Sequence, residues 1–392
     1  MTFLGKLLTD QRGIVLFLSL IIVALLLGAG VGAIVSMQAD FRTTGNLKTA
    51  TQAFYLAEAG IEWAKQKVES AITMPPNPAA GVVQLSPGNF AVSFLSPTNK
   101  SKMAASVTIR STGKVGSSSQ TVQALITRTY DLAPAAVGFT GNEAHASFVG
   151  DSFSVDGRDY DPVSKTLVPG AKAKMGVAVP NDTLREQVKS ALSVEQEDNV
   201  IGAETSVPGM GVTNFLSSDV ISGLAYEICS APEAIVVDLV QAMSVPSPGE
   251  TTWGTRDSPQ LRCVRGPAGT GNKFALSAGL SGVGILIVRD ANLVIGGPFV
   301  WEGLILVSGN SVGFNVEGGG IKEVFGSILI DERGADSGEG TEELKLQGAA
   351  SVRYSSAALL RAAELIPTRI LERLYASLPS TITQDYWRAM GP

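Results

Sequence analysis

The sequence predicts an α+β protein: a long N-terminal transmembrane helix, a small antiparallel sheet, and then a mainly β, solenoid-like domain with C-terminal capping helices. Three observations carry that prediction. Residues 14–37 are 24 consecutive uncharged positions, nearly all apolar. Residues 89–130 alternate apolar and polar with a period of two. Between 284 and 330 a short glycine-led apolar pattern recurs.

The composition agrees. The 392 residues are enough for more than one domain, and 45% are hydrophobic, only 17% charged and 43 of them glycine. That balance fits a membrane segment joined to a turn-rich β exterior. A net charge of −6 offers no broad basic field for a phosphate backbone, so nucleic acid is not an expected partner.

The 24-residue run is long enough to cross a hydrocarbon core of about 30 Å as a helix. Lys6, Asp10 and Arg12 precede it, a weak positive bias that keeps this end in the cytosol and sends the rest of the chain outside. A cleaved secretory signal would have a shorter apolar core and then an unrelated domain. Here the helical pattern continues through Leu47, Ala50, Phe54, Ala57, Ile61, Ala64, Val68 and Ala71, whose alternating spacings of three and four make one narrow stripe. Alanine at every second member lets a neighbour approach closely. No proline interrupts 14–73, and Pro75, Pro76 and Pro78 end the pattern. Such a helix is about 90 Å long at 1.5 Å per residue. Gly28, Gly30, Gly32 and Gly45 weaken it by up to about 1 kcal/mol each relative to alanine.

Gln11-Arg12-Gly13 followed by Ile14-Val15-Leu16-Phe17-Leu18 resembles a prepilin peptidase site. Ala53-Phe54-Tyr55-Leu56-Ala57-Glu58-Ala59-Gly60-Ile61-Glu62 resembles the second half of the N-terminal region in PilX-type minor pilins. The resemblance implies a leader at 1–13, cleavage between Gly13 and Ile14 by prepilin peptidase, N-methylation of Ile14, and a pilin helix over 14–73 whose first part, 14–37, spans the inner membrane. It also implies other pilins as partners through that helix, passage to the pilus or cell surface, and a role in pilus assembly, priming or adhesion. Leu18 stands at the fifth mature position, where major pilins carry a glutamate. PilX-type proteins and the K-type minor pseudopilin of type II secretion share that departure. A subunit without the acid avoids burying an unpaired carboxylate in lipid when no subunit lies above it, which favours a minor, tip-proximal place. Alternatives are the K-type pseudopilin and a membrane-anchored surface adhesin.

Within residues 80–133, strands are predicted at 90–94, 107–110 and 122–127, with Ser111-Thr112-Gly113 and Gly116-Ser117 as the turn and the helix stripe buried beneath them. Residues 134–358 are predicted to form the solenoid-like domain. Gly284-Ile285-Leu286-Ile287-Val288, Gly303-Leu304-Ile305-Leu306-Val307 and Gly326-Ser327-Ile328-Leu329-Ile330 lie 19 and 23 residues apart, and second strands follow at 292–295 and 312–316. Residues 351–354 add a last rung. A C-terminal helical cap over 359–392, with Leu360, Ile370, Leu371 and Leu374, would cover an open end. Residues 148–157 read as a strand, 184–192 as a helix, and 230–243 as a helix or covering segment.

Little in the sequence points to catalysis, and no enzyme is expected. His145, the single histidine, has no triad context, and it cannot complete a zinc site with two cysteines 34 residues apart. Cys229 and Cys263, beyond the membrane run, pair as a disulfide or lie as buried thiols. Asp151, Asp156, Asp159 and Asp161 bring four carboxylates within eleven residues, the hard-oxygen chemistry calcium takes, although turn aspartates give the same pattern and no EF-hand spacing is present. No cofactor is expected, calcium being the one exception the residues allow. Asp290, Glu302, Asp331 and Glu332 are expected mainly at turns rather than paired as in polysaccharide-cleaving sites. Gly318-Gly319-Gly320 lacks the lysine-serine pair of a phosphate loop.

Overall fold

The computed structural model describes residues 11–70, 80–95, 98–141, 143–203, 207–213, 217–239, 243–244, 251–267, 272–334, 343–374, 378 and 380–390. Two compact units result, Met1–Pro97 with Val107–Ile126 and Gln384–Pro392, and Thr98–Ser106 with Thr127–Thr383.

The first unit is built on one unbroken helix of 60 residues, Gln11–Ser70. Arg12, Gly13 and Ile14 lie inside its first turns, while residues 1–10 of the predicted leader and Ala71 of the predicted stripe lie outside the described residues. The strands Ala80–Leu85, Gly88–Phe94, Ala104–Val115, Ser118–Tyr130 and Ser380–Met390 follow one another in that order across an antiparallel sheet. Ala53, Leu56, Ala57, Ile61, Ala64 and Val68 are buried on the helix, together with Phe90, Val92, Val107, Ile109, Val122, Ala124 and Ile126 on the strands. The buried stripe is therefore close to the predicted one but not identical. Leu47 is 66% exposed, Ala50 and Phe54 are half-buried, and Ala53 takes the central place. The reason is the reach of the sheet: its first contact with the helix is a 2.8 Å hydrogen bond between the Thr49 and Ser118 hydroxyls, so a residue a half-turn earlier has nothing to pack on.

Ser111, Thr112 and Gly113 are not a turn, as predicted, but lie within the Ala104–Val115 strand; the chain reverses at Gly116, whose φ is +57°. Gly113 serves close approach instead. A Cβ there would lie 2.0 Å from the Ala53 carbonyl oxygen and 2.6 Å from the Ala57 nitrogen, and one on Gly60 would lie 2.1 Å from Ser111 Oγ. Helix backbone and strand touch with no side chain between them.

The second unit is a stack of parallel strands in two sheets. One runs Ile235–Asp238, Gln260–Arg265, Leu280–Arg289, Phe299–Gly309, Lys322–Glu332, Ala350–Tyr354, Ser154–Asp156, Val200–Ile201. The other runs Met243–Ser244, Lys273–Leu276, Asn292–Ile295, Phe314–Val316, Leu344–Gln347, Ala146–Val149. Register is set by like side chains: Ile287, Leu306 and Leu329 are successive partners, as are Phe274, Leu293, Phe314 and Leu344 in the second sheet. The apolar runs of the first sheet are buried residue after residue, because one face meets the core and the other is covered by helices. Gly284, Gly303 and Gly326 are direct partners with φ of +131°, +134° and +142°, and a Cβ on Gly303 would lie 2.0 Å from the Gly284 carbonyl oxygen. No other residue fits that ladder.

Four predicted elements differ. The strand expected over 148–157 is two, Ala146–Val149 and Ser154–Asp156, which lie in different sheets. The described residues of 230–243 contain no helix. The helix is Ser218–Cys229, and Ile235–Asp238 adds an edge strand parallel to Gln260–Arg265. The 351–354 strand is followed in space by Ser154–Asp156 and Val200–Ile201, so strands from early in the unit cover the end assigned to the C-terminal cap. Among the described residues the cap, predicted over 359–392, is helical in Ser356–Ala363 and Thr368–Leu374, and Ser380–Met390 is a strand. The alanine-rich Ser356–Ala363 helix lies on the flank of strands Leu280–Arg289, Phe299–Gly309 and Lys322–Glu332, where two-sided apolar runs need cover, and Leu365 reaches Gly284. Leu360 is half-buried, whereas Ile370, Leu371 and Leu374 are buried.

Cys229, at the end of its helix, is bonded to Cys263 in the Gln260–Arg265 strand, with Cα atoms 5.5 Å apart. Closing a loop of 34 residues removes unfolded-state entropy worth about 4 kcal/mol. Cys263→Ser, or reduction, is expected to lower the melting temperature of the full chain in a calorimetric scan. Gly113→Val is expected to cost on the order of 1–3 kcal/mol by forcing helix and strand apart, read as a lower melting temperature than that of Gly116→Ala, a change at the turn where nothing lies within 4 Å.

Candidate functional site

Every described side chain from Ile14 to Lys48 is exposed. Leu16, Leu20, Leu25, Leu26, Leu27, Val31 and Ile34 thus present apolar surface all round the helix rather than on one face. A surface of that length and chemistry needs lipid or other apolar helices around it. It has the length to span a membrane, and Asp40 is the first ionisable residue after Arg12. Leu18 is 57% exposed with no carboxylate beside it. Gly28 and Gly32 are four residues apart on one face, and a Cβ on Gly28, Gly30, Gly32 or Gly45 would meet nothing within 4 Å. None of these glycines is required by packing inside the chain, yet spacing of this kind lets another helix come near. The helix is continuous through all four.

Below Thr49 the same helix becomes core. On its outer side Phe54 meets Trp387 edge to face, with centroids 5.9 Å apart, and an open groove is lined by Glu58, Ile61, Glu62, Gln384 and Trp387. The final strand is held on its neighbour by Arg388, which donates to Gln123 Oε1 at 2.7 and 3.2 Å.

Three of the four clustered aspartates have separate partners. Asp156 accepts from Arg158 at 2.6–3.1 Å and from the Tyr160 hydroxyl at 2.8 Å. Asp159 caps the Ser356–Ala363 helix, accepting from the Ser356 nitrogen at 2.8 Å and its hydroxyl at 2.6 Å. Asp161 accepts from the backbone of Ser164 at 2.7 Å and of Val163 at 2.8 Å, and the Ser164 N–H holds its carboxyl below the usual aspartate range. Asp151 is exposed.

Three acids expected at turns are instead buried at strand positions. Glu302 lies within Phe299–Gly309 and takes a two-point contact from Arg256 at 2.5 and 2.8 Å, with Arg361 at 3.5 Å. Glu332 ends the Lys322–Glu332 strand and accepts the Ser311 and Gly334 N–H groups at 2.6 and 2.8 Å. Asp331, 0% exposed, accepts from Ser308 at 2.8 Å, from Thr140 at 3.4 Å and from Ser218 in the first turn of its helix, with Arg333 at 3.6 Å. Burial raises its pKa, and these donors only partly oppose that. Only Asp290 is at a turn, with φ of +54°.

One group went unnoticed in the sequence because its members are two hundred residues apart. His145 Nδ1 lies 3.4 Å from Glu143 Oε2 and 3.4 Å from Glu343 Oε1. All three residues offer ligand atoms within 4.8 Å of one another. Only the Glu-Ala-His spacing of the first two was legible.

Comparison with known proteins locates one likeness in sequence. Residues 12–62 match the family model described as PilX N-terminal. None of the curated proteins matches the chain. Among solved structures, a match is the competence-associated pilin ComZ from Thermus thermophilus, at 13% identity and a TM-score of 0.28, over 87% of this chain and 97% of that one.

Asp331 sets a pH dependence whose sign follows from its raised pKa. The folded state holds this proton more tightly than the unfolded chain does, so the burial penalty is absent below the ordinary aspartate range and grows as pH rises through the higher folded value. Asp331→Asn is expected to narrow the loss of stability between pH 4 and pH 7. Denaturant melts of both proteins at the two pH values check it.

Proposed function

We propose that this chain is a minor pilin-like subunit of a type IV pilus or related fibre, one whose PilX-type N-terminal segment joins it to other pilins. The carrying observation is a single helix with two environments: exposed from 14 to 48 and apolar over 14–37, then packed on its own sheet from Thr49 onward. The N-terminal family match over 12–62 covers both halves.

Before assembly the exposed half rests in the inner membrane, with the units beyond it outside the cytosol. Prepilin peptidase removes residues 1–13 and the new amino group of Ile14 is methylated. Extraction into the fibre then exchanges lipid for neighbouring helices around the same apolar side chains, so the transfer costs little hydrophobic free energy. The bare backbone at Gly28 and Gly32 is the place where a neighbour comes closest. With Leu18 instead of an acid, the subunit needs no amine from a subunit above it, which suits priming or a tip-proximal position. The stacked-strand unit is the part offered for display, in assembly or adhesion.

Mass spectrometry of fibre-associated material is expected to find an N-terminus at methylated Ile14. Gly13→Ala is expected to retain the leader and to remain in the membrane fraction. Fibres carrying a chain that still begins at Met1 would overturn the reading.

A further inference from the structure

We propose that Glu143, His145 and Glu343 form a binding site for a divalent transition cation of the zinc class, clamping an edge strand of the second sheet in the stacked-strand unit.

The spacing of the three ligand atoms is the first ground. Zinc–nitrogen and zinc–oxygen bonds of about 2.0–2.2 Å in a tetrahedron put neighbouring ligand atoms about 3.3–3.6 Å apart. Both imidazole-to-carboxylate separations are 3.4 Å, and the whole set lies within 4.8 Å.

The second ground is preorganisation. Glu343 Oε2 accepts the His145 backbone N–H at 2.6 Å, which leaves Oε1 facing Nδ1. The His145 carbonyl oxygen accepts in turn from the Glu343 and Leu344 nitrogens, at 3.0 and 3.2 Å. The Glu343 carboxylate is thus oriented by the His145 backbone, and the His145 main chain is held beside the Glu343 strand, before any ion arrives. The third ground is charge. Glu343 is only 1% exposed at its side chain, and a second carboxylate stands across the imidazole. Two carboxylates beside one imidazole nitrogen would give a bound cation two negative ligands and one neutral one.

One imidazole nitrogen with two carboxylate oxygens suits zinc or manganese better than calcium, which takes six to eight oxygens. His145 is half-exposed and Glu143 is partly so, which leaves the outward position open to water or to a ligand from another molecule. The ion would sit where Ala146–Val149, the last strand of its sheet, begins beside the start of Leu344–Gln347, the pair being Ala146 and Leu344.

The test uses the tag-free full chain in detergent, stripped with chelator and then titrated with Zn2+ alone. Because His145 is the single histidine, its ring resonances report the site without assignment ambiguity. The expected result is one zinc per chain, a shift of those resonances and a raised melting temperature. His145→Ala and Glu143→Gln, both at accessible positions, are expected to keep the fold by circular dichroism and lose zinc affinity by at least about tenfold. The proposal is overturned if stripped chain retains no stoichiometric zinc, if His145→Ala binds within threefold of the parent, or if calcium displaces zinc at equal concentration.

Discussion

The contact on which the first unit depends is the one with nothing in it. Gly113 brings strand backbone against the carbonyl of Ala53 and the amide of Ala57, and Gly60 admits Ser111 from the other side. Alanines at 53, 57 and 64 keep the rest of that face flat. The helix is thereby fixed along half its length by its own sheet, and the free half continues the same axis because no proline or break intervenes. A rod that is core at one end and bare at the other has a defined direction, and the bare end has to find its surroundings elsewhere.

The second unit answers a different problem with parallel stacking. Apolar side chains of similar kind in adjacent strands make long ladders, and such strands are buried on both faces only if something covers the outside. The Ser218–Cys229 and Ser356–Ala363 helices do so, and each is pinned by a buried acid rather than by apolar packing alone: Ser218 to Asp331, Ser356 to Asp159, Arg361 to Glu302. Lys322, also buried, donates hydrogen bonds to the Gly318 and Gly319 carbonyl oxygens, and burial lowers its pKa. Acids that would be costly in isolation become specific attachment points, since each fixes one helix at one rung.

Local pattern was enough to read much of this. The membrane-length run, the three glycine-led strands and the helix at 184–192, observed as Asp182–Ser190, all depend on neighbours in sequence. What was illegible depends on partners far away. Gly113 reads as a turn residue until a helix sixty positions earlier is laid on it. Leu47 belongs to the apolar stripe by spacing and falls outside the core because the sheet meets the helix only from Thr49 onward. The strand Ser380–Met390 has turn-free alternation too weak to separate from a helix, and its place is decided by the open edge of Ser118–Tyr130. Glu343 carries no motif at all; only the pairing of Leu344 with Ala146 brings it to His145.

Closing the first sheet with residues from the far end of the chain covers the Ser118–Tyr130 edge. Ser380–Met390 pairs with that strand in a sheet begun at Ala80, so its backbone groups are bonded there rather than left open, and Arg388 fixes the pairing at Gln123.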